Sequence, residues 1–142
     1  MSAARRQSRE VALQALYAWQ LSGGDALEEL ATLDGFGDAD QKLARSLVSG
    51  VRDKASELQA VIAPYVERGF DKLSPVERAI LYIGTYELSA HPQTPFKVVL
   101  NEAIELGKSF GGAEGHRFVN GVLEKIAAQL RPAEVARHRS AP

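Results

Sequence analysis

The sequence predicts an all-α fold, a compact bundle of six or seven helices, and three observations carry that expectation. Apolar residues recur at helical spacing along almost the whole chain, with no convincing run of alternating β-branched residues. Clusters of glycine or proline separate the periodic stretches, at Gly23-Gly24, Gly35, Gly69, Pro92, Pro95 and Gly111-Gly112. The chain has 142 residues, 45% hydrophobic and 25% charged, enough apolar side chain for one core with little room for a second. That balance excludes a disordered chain and a membrane protein, because no stretch approaches the ~18 uninterrupted apolar residues of a spanning helix. The N-terminus lacks the apolar core of a secretory signal. Cysteine is absent, which removes disulfides, thiolate zinc sites and cysteine nucleophiles and fits a cytoplasmic protein.

The first helix is expected from about Ser8 to Leu21, stopped by Ser22-Gly23-Gly24. A short helix over about Ala26 to Leu33 gives way to the turn-rich Asp34-Gly35-Phe36-Gly37. Asp38 is the expected N-cap of the next helix, which carries Leu43, Leu47, Val48 and Val51. Leu58, Val61, Ile62, Tyr65 and Val66 continue it, either in one long helix or after a break near Gly50 to Asp53, and Gly69 ends the segment. Ser74-Pro75-Val76-Glu77 combines a capping box with proline at the first helical position. The helix behind it, Val76 to Ser89, is apolar on most of its circumference and belongs at the centre of the bundle. After the His91-Pro92 and Thr94-Pro95 breaks, two helices are expected over Phe96 to Phe110 and Gly115 to Leu130. Arg131-Pro132 closes the last, and residues 133–142 are expected to form a loose basic tail.

Catalytic constellations are mostly missing. His91, His116 and His138 are scattered, and none lies four residues from another as a helical zinc pair requires, so no metal or other cofactor is expected. The Gly111 to Gly115 stretch lacks the lysine and preceding strand of a phosphate loop and reads as an interhelical connection. Glu102 and Glu105 lie three apart on one helix, on what the wheel makes a solvated face. Glu87 falls near Val76, Ile80 and Ile83, where a carboxylate must accept hydrogen bonds or pair with a cation. It reads as a structural anchor.

Net charge is only −1, so any nucleic-acid surface should be local. Residues 1–9 carry Arg5, Arg6 and Arg9 without an acid, and residues 25–40 carry six acids without a base. On the first helix Val11, Ala12, Ala15, Leu16 and Trp19 make an apolar arc. Arg6, Glu10, Gln14 and Tyr17 fall on the opposite side, with Arg5 and Arg9 flanking them at its start. Arginines, an amide and an aromatic ring on one strip suit single-stranded RNA: guanidinium groups hold phosphates, the ring stacks a base, and glutamine reads a base edge. The residues alone equally allow an ordinary amphipathic helix with a half-buried tyrosine. Lys97, Asn101, Glu105 and Lys108, and then Arg117, Asn120 and Glu124, could extend the strip on later helices.

Several blocks resemble one family in order. They are Arg5 to Glu10 with Ala12 to Gln20, Val76 to Leu81 with Tyr86-Glu87-Leu88, Pro95 to Leu106, Lys108 to Gly111, and Phe118 to Leu123. From about Ala4 to Pro132 the chain resembles the NusB family. The resemblance implies one helical RNA-binding domain over 1–132, built of two small subdomains at about 4–70 and 74–131. It implies a non-enzymatic transcription antitermination factor that pairs with NusE, a small-subunit ribosomal protein. The pair recognises boxA RNA in nascent ribosomal RNA leaders and joins NusA, NusG and RNA polymerase.

Carried onto this chain, the resemblance makes Arg5, Arg6 and Arg9 phosphate contacts and turns Gln14 and Tyr17 toward RNA; Lys97, from the later polar strip, joins them as an RNA-binding candidate. The resemblance brings Phe110, Glu114 and Arg117 near bases and puts Tyr65, Glu77 and Arg78 on the NusE-facing surface. Gln7 departs from the commonly basic third position of the arginine run. The fold also occurs in front of ribosomal RNA methyltransferase domains, a reading expected to apply only if the chain were a fragment. The rival expectation is a protein-only helical scaffold, or a homodimer, whose basic strip is merely solvated.

Overall fold

The computed structural model describes residues 3–111 and 115–140. Seven α-helices follow one another among them: α1 Ala3–Ser22, α2 Ala26–Thr32, α3 Gln41–Ile62, α4 Pro75–Ala90, α5 Phe96–Phe110, α6 Gly115–Leu130 and α7 Pro132–Ser140. Short 3₁₀ turns at Ala63–Tyr65 and Phe70–Lys72 join α3 to α4, and the described residues contain no strand. The expected fold class is the observed one.

α4 is the axis around which the others pack, touching α1, α3, α5 and α6. Its start is held as the sequence implies: Ser74 Oγ accepts from the Glu77 amide at 3.1 Å, and the Ser74 amide donates to Glu77 Oε1 at 3.1 Å. From Ala79 to Leu88 every residue but Tyr86 is buried, so this helix has almost no solvent face to spend on binding. Gly50 of α3 lets α4 come close, since a Cβ there would lie 2.1 Å from Cζ of Tyr86.

Three boundaries differ from expectation. α1 begins five residues before Ser8, which is not a cap but a buried mid-helix residue. Its hydroxyl donates to the carbonyls of Ala4 at 2.9 Å and Asp40 at 2.7 Å. That contact clamps the start of α1 to the start of α3. The α3 N-cap is Asp40 rather than Asp38: its carboxylate accepts from the Leu43 amide at 3.1 Å, while the Asp38 amide is spent in a turn onto Gly35. α3 then runs as one long helix with a kink at Lys54, just past the expected break, where φ is −117° and ψ is 18°.

The third difference is the tail. Residues 132–140 are helical, not loose, because Arg131 and Glu134 fasten α7 to the body. Arg131 is 9% exposed and donates to the carbonyls of Glu87, Leu88, His91 and Thr94, covering the frayed C-terminus of α4 with a cation. Glu134 accepts from the Phe96 amide at 2.7 Å and pairs with Arg131 at 3.1 Å. Val135, the lone large apolar residue of α7, is buried.

Two outcomes follow. Arg131→Ala strands buried carbonyls and should cost about 3 kcal/mol, read as a lower urea midpoint. The Phe96 amide and the Arg131 guanidinium hold the Glu134 carboxyl below the usual glutamate range against the opposing effect of burial. Its contribution is therefore full above the ordinary glutamate value and is lost as pH falls through the lowered one. The stability gap between the parent and Glu134→Gln, measured in urea, should close on acidification from pH 7 to pH 3.

Candidate nucleic-acid interface

α1 divides its residues between two tasks. Val11, Ala12, Leu13, Ala15 and Leu16 are buried against α2, α3 and α4. The outer stripe carries Arg6, Gln14 and Tyr17 at the surface, with Glu10 intermediate between them and Leu21 beyond. Tyr17 at 40% and Leu21 at 62% are the exposed large hydrophobic residues of the described chain. An exposed ring one turn from an exposed amide, with a guanidinium two turns further back, is the arrangement expected of the strip.

Arg9 is not on it. The sequence placed Arg9 with the phosphate contacts, but its side chain is 1% exposed and lies inside the bundle. Its Nε donates to Glu87 Oε2 and its Nη2 to Glu87 Oε1, both at 2.8 Å, a two-pronged pair between α1 and α4. A second carboxylate, Glu102 of α5, stands 3.8 Å from Arg9 Nη1. Arg6 reaches Glu102 from the outside, Nε to Oε1 at 3.2 Å and Nη2 to Oε2 at 2.8 Å. Arg6, Glu102, Arg9 and Glu87 thus alternate in sign from solvent to core. Burial pulls the Arg9 pKa down, but the bond to Glu87 and the charges of Glu87 and Glu102 outweigh it and raise it. The bond to Glu102 raises that of Arg6.

The anchor role expected of Glu87 is borne out. The solvated face expected for Glu102 is not: its side chain is 5% exposed, because it sits three residues from Val99 and four from Leu106 on the buried side. Glu105 does face outward, paired with Lys108 at 3.5 Å. Arg5 is half-buried and stands 3.6 Å from Asp40.

The remaining candidates scatter over two regions. Lys97 and Asn101 are exposed along α5, and Phe110 is half-buried at its end against the core. Arg117 is exposed in the first turn of α6. Glu114, with most of the loop before it, lies outside the described residues. Tyr65, Glu77 and Arg78 lie at the α3–α4 connection and the start of α4. Tyr65 Oη donates to Gln129 at 2.6 Å, and Glu77, besides closing the capping box, takes two bonds from Arg68. Arg78 bonds Gln20 of α1 and the Leu73 carbonyl beneath the Phe70 ring, so it holds α1 to α4 as well as facing outward.

Sequence reasoning missed a groove of about 480 Å³ between the α3–α4 connection and α6, lined by Tyr65, Arg68, Arg117, Phe118, Gly121 and Lys125 among others. The Arg68 guanidinium lies 4.7 Å over the Phe118 ring. Arg117 and Lys125 lie eight apart on α6, a helical spacing that brings both to one face; nothing in the sequence brings Arg68 to it. Among the described residues no cluster of metal-binding side chains occurs, and no helix is long and apolar enough to cross a membrane.

Comparison with known proteins agrees with this geometry. The model of the NusB family matches residues 6–128. The transcription antitermination protein NusB of Aromatoleum aromaticum is 51% identical over 97% of this chain and 97% of its own length. Among solved structures, T. maritima NusB superposes with a TM-score of 0.83 at 30% identity, covering 96% of this chain and 99% of that one. A crystal structure of the antitermination factors NusB and NusE in complex with dsRNA contains a chain similar at a TM-score of 0.79 and 25% identity, covering 91% and 99%.

The buried pair and the surface arginine should respond differently to substitution. Arg9→Ala leaves Glu87 buried without its partner and should cost about 3–5 kcal/mol, whereas Arg9→Met with Glu87→Leu should recover most of that loss. Arg6→Ala should leave the urea midpoint nearly unchanged. Equal midpoints for the two alanine variants would remove the distinction.

Proposed function

The chain belongs to the NusB family, and from that premise we propose that it is an RNA-binding transcription antitermination factor that works with NusE. The observation that carries this is the α1 stripe: exposed Arg6, Gln14 and Tyr17 on a helix whose other side is locked into the core. A ring held at a fixed height can stack on an unpaired base, the neighbouring amide can read that base's edge, and Arg6 can hold the adjoining phosphate. A phosphate approaching Arg6 competes with Glu102, whose charge stays close to Arg9 when Arg6 turns outward.

In this reading the RNA is the boxA element of nascent ribosomal RNA leaders. Arg5 and Lys97 add phosphate contacts, and Phe110, Glu114 and Arg117 approach bases at the junction of α5 and α6. Tyr65, Glu77 and Arg78 form the surface that meets NusE. The pair then joins NusA, NusG and RNA polymerase, and a factor that acts on nascent transcripts works in the cytoplasm. Arg9 takes no part except by fixing α1. The names of the curated relatives support the antitermination role, and the NusB–NusE–dsRNA complex supports the pairing of RNA with NusE.

Binding at fixed salt should favour a boxA-containing RNA over a scrambled one, more so with NusE present. Tyr17→Ala should weaken it by roughly 1–3 kcal/mol, the worth of one stacked base. Arg5→Ala with Arg6→Ala should flatten the log–log salt slope by roughly 0.7 per lost contact. Equal, weak binding to both RNAs with and without NusE would overturn the proposal in favour of a protein-only scaffold.

A further inference from the structure

We propose that α7 and the start of α5 form a second phosphate-binding surface, which holds the RNA strand beyond the stretch bound by the α1 stripe. The inference rests on the RNA-binding reading and adds a site to it. The family match ends at residue 128, so α7 lies outside the matched region.

The first support is that α7 has a fixed place. Arg131 binds four carbonyls of α4 and its following turn, Glu134 takes the Phe96 amide, and Val135 is buried. Arg137, His138 and Arg139 of the last turn are all exposed. His138 meets the Phe96 ring edge-on at 5.5 Å between centroids, which sets that turn beside the first residues of α5. A cleft of about 180 Å³ lies there, with Lys97, His138 and Arg139 on its walls.

The charge balance of the patch favours a polyanion. Of the acids nearby, Glu134 is committed to Phe96 and Arg131, which leaves the exposed Glu124 on the cleft wall to set against Lys97, Arg137 and Arg139. Lys97 and Arg139 make no ion pair with any described residue. Apart from the buried Val135, α7 carries no large apolar side chain, so it offers an apolar protein partner almost nothing to cover. Guanidinium and ammonium groups without apolar neighbours match phosphate oxygens instead.

Position supplies the second support. Lys97 lies five residues before Glu102, about 7.5 Å along the α5 axis from the carboxylate that holds Arg6. Exposed Asn101 falls between them. A strand leaving Arg6 along α5 therefore meets Lys97 and then the last turn of α7, with Glu124 the acid on the cleft wall.

The test uses the full chain and three single-stranded RNAs: a boxA 12-mer, and the same RNA lengthened by eight uridines at one end or the other. One lengthened RNA should bind with a steeper salt slope than the 12-mer. Arg137→Ala with Arg139→Ala should lower that slope by about 1.4 while leaving the 12-mer unaffected. These substitutions spare Arg131, Glu134 and Val135, and an unchanged urea midpoint verifies that α7 stays docked. Lys97→Ala, at a residue the boxA reading also uses, should lower the slope on the 12-mer and on the lengthened RNA alike, by about 0.7. Slopes that are the same for the parent and for the Arg137→Ala, Arg139→Ala double variant on every RNA overturn the proposal. Arg6→Ala separates the two ways of failing: if it lowers the slope while the α7 variants do not, only the second surface falls, and if it too is silent the RNA-binding reading falls with it.

Discussion

The pair between Arg9 and Glu87 is the constraint on which the rest of the structure depends. Both side chains are 1% exposed, so each charge has lost its water and the two bonds between them compensate much of that loss, with Glu102 adding to the field at Arg9. The two parallel bonds fix the rotation of α1 about its axis relative to α4. With that angle set, the apolar arc faces the core and the stripe of Arg6, Gln14 and Tyr17 must face solvent. Glu102 brings α5 into the same arrangement through its two arginines. A small helical domain thereby aligns the exposed faces of two helices with one charged cluster.

The cluster also explains why a chain so nearly neutral can still present a basic surface. Its acids are not spread evenly. Two of them, Glu87 and Glu102, are withdrawn into the interior by arginines of α1. Others gather at α2 and the turn after it, on the opposite flank of α1. What remains along α5 and α7 is enriched in lysine and arginine, and the surface charge is therefore local even though the total is close to zero.

Much of this was legible in the residues, and the failures have identifiable causes. The starts of α4, α5 and α6 were readable because proline or glycine punctuates them and, for α4, a complete capping box adds to the signal. Ser8 and Asp38 misled because each is a good cap by type. Ser8 spends its hydroxyl on two carbonyls instead, and the turn after α2 is long enough to pass the cap on to Asp40. Arg9 misled because charge was weighed above spacing. It lies three, four and seven residues before Ala12, Leu13 and Leu16, which puts it on the buried side whatever its charge. Glu102 holds the same relation to Val99 and Leu106. Glu87 was read correctly by applying that rule. The docking of α7 was not legible, since a single valine gives no periodic signal and the carbonyls that hold Arg131 belong to a helix forty residues away.

The sharing of Glu102 has one more consequence. A guanidinium that waits in solution is attended by chloride or another mobile anion, which must leave when a phosphate arrives. Arg6 is attended by a carboxylate of its own protein. In the proposed reading, a phosphate that takes Arg6 draws the arginine outward and leaves Glu102 beside a second arginine already in place. In that reading the protein side of the exchange is internal, and cations released from the RNA supply the dependence on salt.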